Sequence, residues 1–365
     1  RYNKILIIII DHLMYVKRNK ILIDELDKSS FSYAILTLPE NIFYMTGFWG
    51  HGILIITENQ NILLTSTLEK NKAKLLAKNC EILVIQNWNK IVDKIETICS
   101  KKKKFFDSNN FMLNNKLHDD IIVNSDILYN IRRTKDEYEL KSIIKASQMI
   151  DKLYLLIENE VKIGMSERNI ASLLLSEIIS NGYDLVNTPL STTPLIVASG
   201  PHSSFPHSDL SDRNIQEGDL LTVDIFIRYN GYVSDATRTF GVGKIDEKLI
   251  SFYEIVKSAQ NIGFKNVREN MSTKLIDKEV RTFIEEKKLG KYFIHGTGHG
   301  VGLDVHEPPI INKNSQDILK LNDVVTIEPG IYFPNKFGIR IEDTILVSNP
   351  SRSLLNYTKE LITIG

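Results

Sequence analysis

DLLTVD, residues 219–224, returns later in the chain as DVVTIE, residues 323–328, with an acid at each end and a threonine fourth in both. Each reads as a strand, and the elements around them recur in the same order. Helical patterns over 134–158 and 166–180 precede strands over 219–229 and 232–241; helical patterns over 246–269 and 273–288 precede strands over 323–328 and 339–347. Asp235-Ala-Thr is echoed by Glu342-Asp-Thr. A repeat this long is no solenoid; it predicts two related halves about a pseudo-twofold axis, each carrying two acids on paired strands.

The first pair can be placed by counting. Asn230-Gly231 between two β-runs is a strong hairpin signal and implies a two-residue turn. Tyr229 then faces Tyr232, Asp224 faces Thr237 and Phe226 faces Asp235. Asp224 and Asp235 become diagonal neighbours on one face, roughly 7–8 Å apart at the backbone. In the other half Arg340 shares a face with Glu342, and Thr326 with Glu328. If the two halves are symmetric, Glu328 and Glu342 converge on the same point. Four carboxylates meeting there repel by roughly 4 kcal/mol per close pair at an effective dielectric near 20. Two divalent cations would neutralise them. An oxygen-rich set with one imidazole suits manganese, cobalt or iron better than a thiolate-loving zinc site.

The imidazole is sought in HGTGHGVGLDVHEPP, residues 295–309, which holds three of the eight histidines. A helical H-E-x-x-H zinc site is excluded because His306-Glu307 runs into Pro308-Pro309. Val301 stands where a dinucleotide fingerprint needs its third glycine, and no Lys-Ser/Thr follows to make a phosphate loop. The segment reads as a tightly bending loop, and such loops can also be mere connections. The acidic strands on either side in sequence favour a function, so His299 is the ligand candidate. His202 reads as structural.

Composition sets the outer bounds. The 365 residues, 42% of them apolar, suffice for more than one core, and the 45 basic and 45 acidic side chains cancel. Nucleic acid is therefore an unexpected partner, and Lys101–Lys104 reads as a solvated loop. Cys80 and Cys99 make neither framework nor cluster; they read as small core residues of a reducing cytoplasm, without a disulfide. The apolar run Ile5–Ile10 falls short of the roughly 20 residues of a membrane span and reads as a first strand or helix. No membrane partner is expected. The chain opens on Arg1, as a piece of a longer one would. Short β-runs from about residue 30 to 130, among them GILIIT and EILVIQ, alternate with helical stretches at 68–79 and 88–99, the pattern of an α/β layer. A boundary follows at Arg132-Arg133, where Thr134-Lys-Asp-Glu137 reads as a capping box. The expected division is 1–131 and 132–365.

The order Asp224, Asp235, His299, Glu328, Glu342, set in HGTGHGVGLDVHEPP, TIEPGIYF and GIRIED, resembles the dinuclear metallopeptidases of the creatinase, aminopeptidase P and prolidase group. LPENIFYMTGF, residues 38–48, resembles that group's smaller N-terminal domain. The resemblance implies an α/β (α+β) chain: a creatinase-like N-terminal domain, then a pita-bread domain with a curved, mostly antiparallel sheet. It implies that Asp224 chelates one ion, that His299 and Glu328 complete the other, and that Asp235 and Glu342 bridge both. Manganese is the first expectation, with cobalt, iron or zinc after it. The implied reaction is hydrolysis of Xaa-Pro bonds through a metal-bridging hydroxide. Glu328 would also shuttle a proton, His306 would bind the oxyanion, and His207 would reach the substrate from the opposite wall. Arg340 and Thr237 would hold the bridging carboxylates, while His295 and Tyr332 would line the pocket near the proline ring. Prolidase, an Xaa-Pro dipeptidase, is the first expectation; aminopeptidase P on longer peptides is the alternative, and a non-catalytic pita-bread binding module ranks last. Many of the group carry an arginine near Pro309-Ile310-Ile311, where this chain has none. The group's habit also implies a homodimer.

Overall fold

The computed structural model describes residues 2–99, 103–108, 121–123, 126–186 and 194–365, with the backbone alone for 2–12 and 121. They form two compact units, Arg1–Arg132 and Arg133–Gly365.

The first unit runs α1 (Tyr2–Lys28), β1 (Tyr33–Leu36), α2 (Pro39–Thr46), β2 (Gly52–Ile56), β3 (Asn61–Ser66), α3 (Lys70–Leu76), β4 (Glu81–Ile85), α4 (Ile91–Ile98), β5 (Lys104–Phe106), β6 (Ile121–Val123) and α5 (Asp126–Arg133). The strands make one mixed sheet in the order β4-β3-β2-β1-β5-β6. Ile91, Val92 and Ile95 of α4 recur at helical spacing and pack on Ile35, Ile55, Ile62 and Phe106 of the sheet. The run Ile5–Ile10 lies within α1, and no described helix is long and apolar enough to cross a membrane. Three sequence expectations need correction here. Lys104 is not solvated but opens β5, buried, because it is the first residue to pair with β1; Lys101 and Lys102 lie outside the described residues. Cys99 is buried as expected, whereas Cys80 is only partly so, since it falls just before β4; both are free thiols. The capping box is formed by Asp136 and Glu139 rather than Thr134 and Glu137. Lys135 cannot join that helix because its ammonium is drawn to Glu307, at 2.6 Å, and to the Arg133 carbonyl.

The second unit opens with α6 (Glu137–Glu160) and α7 (Glu167–Ser180), followed by β7 (Asp184–Leu185), β8 (Leu195–Ser199), β9 (Leu220–Tyr229) and β10 (Tyr232–Val242). Asn230 and Gly231 both take positive φ, 47° and 89°, as a type I′ turn requires. The register follows: Tyr229 faces Tyr232, Asp224 faces Thr237 and Phe226 faces Asp235. Strand alternation then divides the faces. Leu221, Val223, Ile225 and Ile227 pack with Ala236, Phe240 and Val242 in a core shared with α6 and α7. Asp224 and Asp235 point the other way.

The second half supplies α8 (Glu247–Asn266), α9 (Thr273–Glu286), β11 (Gly298–Gly300), β12 (Glu307–Ile311), β13 (Val324–Ile327), β14 (Gly330–Phe333), β15 (Phe337–Arg340), β16 (Asp343–Leu346), β17 (Arg352–Ser353) and β18 (Thr363–Ile364). Two mostly antiparallel five-stranded sheets result, one of β18-β10-β9-β7 with β8 also on β9, the other of β12-β11-β13-β16-β17. They meet where Glu342 N donates to the Thr237 carbonyl (3.0 Å) and Thr344 Oγ1 donates to the Asp235 carbonyl (2.7 Å). The order expected from the sequence, a smaller α/β unit followed along the chain by a unit of mostly antiparallel sheets and helices, is the order observed. The single strand read at 339–347 is in fact two, because Ile341-Glu342 carries the chain from the β14–β15 hairpin into the second sheet. Nor is 295–309 wholly a loop, since β11 and β12 pair within it.

Candidate active site

Five side chains converge where the sheets meet. Asp224 and Asp235 come from the facing strands β9 and β10; Glu328 follows β13, Glu342 precedes β16, and His299 is the middle residue of β11. Glycines on either side bring His299 in. A Cβ at Gly298 would lie 2.0 Å from the Thr326 carbonyl oxygen, and one at Gly300 would lie 2.5 Å from that of Pro308. No larger residue allows β11 this approach to its neighbours. His299 Nε2 stands 3.5 Å from Glu328 Oε1 and 3.9 Å from Asp235 Oδ2. Ligand atoms of Asp235, His299 and Glu342 all lie within 4.8 Å of one another.

One oxygen on each of three carboxylates, Asp224 Oδ1, Asp235 Oδ1 and Glu342 Oε1, is buried without a hydrogen-bond partner. Buried polar atoms are ordinarily satisfied, so three orphans on carboxylates that line one cavity call for a cation. The electrostatics agree. Burial, then the charges of Glu342, Asp224 and Glu328, hold the Asp235 carboxyl well above its ordinary range. Burial, then Glu328 and Asp224, do the same to Glu342. Burial pushes Glu328 up to about 8 against the opposing pull of Arg340. Burial, then neighbouring His306, brings His299 down to about 3, which leaves its imidazole neutral and able to ligate. Four carboxylates with one neutral imidazole fit a pair of hard or borderline divalent cations.

The other oxygens of Asp224 and Glu342 are held from outside. Arg340 donates to Asp224 Oδ2 (2.8 Å), to Thr237 Oγ1 (2.9 Å) and to the Tyr332 hydroxyl (2.8 Å), and Thr237 Oγ1 donates to Glu342 Oε2 (2.8 Å). One guanidinium thereby fixes an aspartate directly and a glutamate through a threonine.

The cluster opens on a cavity of about 560 Å³ whose walls include His207, His295, His306 and Arg340 besides the five. Burial lowers the pKa of His207 and of His306, and brings His295 down to about 4 with Arg340 adding to the effect. His306 packs against His299, ring centroids 4.3 Å apart. Tyr332 does not line this cavity itself: its hydroxyl lies 3.0 Å from His295 Nε2 and accepts from Arg340, both of which do. His202 lies off the cavity, with Nδ1 3.1 Å from Glu167 Oε2 and from Ser211 Oγ.

Sequence reasoning missed the groups that hold the histidine segment. Arg281 of α9 donates to the carbonyls of Phe293 and His295, and Asp277, its ion-pair partner, accepts from Thr297. Nothing local marks them, because an i,i+4 acid–base pair is ordinary on a helix surface. The apolar walls Phe205, Phe226, Ile294 and Val305 were equally silent.

Residues 141–349 match Metallopeptidase family M24, and residues 18–132 match the Creatinase/Prolidase N-terminal domain. An Xaa-Pro dipeptidase of Pyrococcus furiosus is 34% identical over 354 residues, covering 93% of this chain and 98% of that one. The solved prolidase of Pyrococcus horikoshii OT3 superposes with a TM-score of 0.87 at 32% identity, over 95% of this chain and all of its own. An X-Pro aminopeptidase of Thermotoga maritima MSB8 gives 0.86 at 28% identity, over 95% and 99%.

Proposed function

The chain belongs to metallopeptidase family M24, and from that premise we propose that it is an Xaa-Pro exopeptidase of prolidase type whose five clustered side chains hold two divalent cations. The observation that carries the reading is the trio of buried, unpartnered carboxylate oxygens beside a neutral His299. Asp224 would serve one ion, His299 and Glu328 the other, with Asp235 and Glu342 shared. Bound there, such ions supply a nucleophile at neutral pH by lowering the pKa of water, and a Lewis acid for the scissile carbonyl.

The remaining steps belong to the chain's own residues. Arg340 and Thr237 fix Asp224 and Glu342, so the ligand cage does not reorganise during turnover. His306, neutral and on the cavity wall, donates a hydrogen bond to the oxyanion, and His207 meets the substrate across the same cavity. Glu328, on the cavity wall, passes a proton to the leaving proline nitrogen. His295, held by Tyr332, borders the prolyl ring.

Manganese is the ion proposed, with cobalt, iron or zinc next; the substrate is a short peptide with proline second. Residues 1–131 and 132–365 are proposed as the two domains, and the working form as a cytoplasmic homodimer. Ile310-Ile311, in place of a cation that would hold a dipeptide's carboxylate, favours aminopeptidase P as the second reading. Chelation with EDTA should abolish Xaa-Pro hydrolysis and added Mn(II) restore it. Full activity after exhaustive chelation would end the metal reading.

A further inference from the structure

A second cavity of about 540 Å³ adjoins the first and shares Phe205 and Ile294 with it. Both are large apolar residues left 55% and 63% exposed, and at the common rim they offer a dry surface to something that passes between the two spaces. Tyr332 makes the partition: it lines the second cavity, while its hydroxyl bonds His295 and Arg340 of the first. Tyr292 lines it too, stacked on Phe333 at 3.9 Å between ring centroids.

The two spaces differ in charge. Four carboxylates line the first. Lys291 is the one lysine, arginine or acid lining the second; its ammonium lies 4.9 Å from the centroid of Tyr292, and it forms no ion pair with a described carboxylate. A short free peptide is a zwitterion. Lying across the rim with its scissile carbonyl at the five clustered side chains, it would bring its terminal carboxylate towards Lys291. His295, proposed against the prolyl ring, lines the first cavity and bonds Tyr332 of the second, so the residue after proline is the part that would cross.

We propose that the second cavity is the subsite for the residue following proline in an Xaa-Pro-Yaa peptide, and that the Lys291 ammonium receives the terminal carboxylate of that residue. This rests on the Xaa-Pro peptidase reading above and sharpens it, since it gives a dipeptidase-like chain a use for tripeptides. The test compares kcat/KM of the Mn(II)-loaded full chain on an Xaa-Pro-Yaa acid and on its C-terminal amide, with an Xaa-Pro dipeptide alongside. An exposed ion pair predicts an advantage of the acid over the amide of about fivefold. Lys291→Ala should erase it, Lys291→Glu reverse it and Lys291→Arg keep it. The same acid-to-amide ratio in wild type and Lys291→Glu would overturn the assignment, as would cleavage of the dipeptide with none of the tripeptide. Failure to cleave any Xaa-Pro peptide would instead bring down the peptidase reading, and this inference with it.

Discussion

Asp235 meets two demands at once: its Oδ1 is buried without a hydrogen-bond partner, and its carboxyl crowds against Glu342, Asp224 and Glu328. Asp235→Asn removes the charge while keeping the shape. Because even groups that only orient a ligand cost about 10–100-fold in metal affinity, loss of Asp235, if it is the shared ligand proposed above, should exceed that. The variant should remain folded and lose most turnover; a near-wild-type rate would remove Asp235 from the cage. His306→Ala should lower kcat by roughly 10²–10³-fold, the effect of a lost oxyanion donor, while raising KM less. An effect confined to KM would leave His306 a binding residue alone. At this scale the clustering of the four acids was legible because acids recur at matched positions in two halves, whereas the surroundings of Tyr332 were not. Its hydroxyl could equally face the substrate or the Arg340 guanidinium, and sequence spacing does not distinguish the two.

Gly298 tests the strand that presents His299. Its added Cβ would meet the Thr326 carbonyl at 2.0 Å, a backbone atom that cannot rotate away. Gly298→Ala should therefore displace β11, lower stability by about 1–3 kcal/mol and weaken cation binding, read together by thermal melting and bound-metal analysis. Unchanged melting and metal content would show that His299 does not depend on this close approach. The β9–β10 hairpin was fully legible, since Asn230-Gly231 fixes the turn and strand periodicity fixes everything behind it. The run from Phe337 to Leu346 was not. Its apolar pattern is continuous across a change of sheet, and what breaks it is a contact with the distant Thr237 carbonyl. The β11–β12 pairing was hidden for a like reason, because two prolines and four glycines disguise strands that tertiary neighbours impose.

Across the molecule as a whole, the site should set how stability depends on pH. Folding raises the Glu328 pKa from an ordinary 4.5 to about 8, and raises those of Asp235 and Glu342 well above theirs. Without cations these groups stabilise the fold while protonated, and that contribution is lost as pH climbs through the window. His295 and His299 act oppositely, since their folded pKa values of about 4 and about 3 lie below the ordinary 6.5; their contribution is present above 6.5 and lost on acidification. Above pH 6.5 only the carboxyl effect remains. Chelated protein should therefore melt progressively lower from pH 6.5 to pH 8, and Mn(II) should raise the melting temperature more at pH 8 than at pH 6.5. A flat or rising profile in chelator would contradict the crowded-carboxyl account. The most direct measurement counts bound metal: Mn(II) per chain in the dialysed protein, wild type beside Asp235→Asn. The account predicts two ions in the wild type and fewer than two in the variant. A wild type that binds none, or a variant that keeps both, would contradict it.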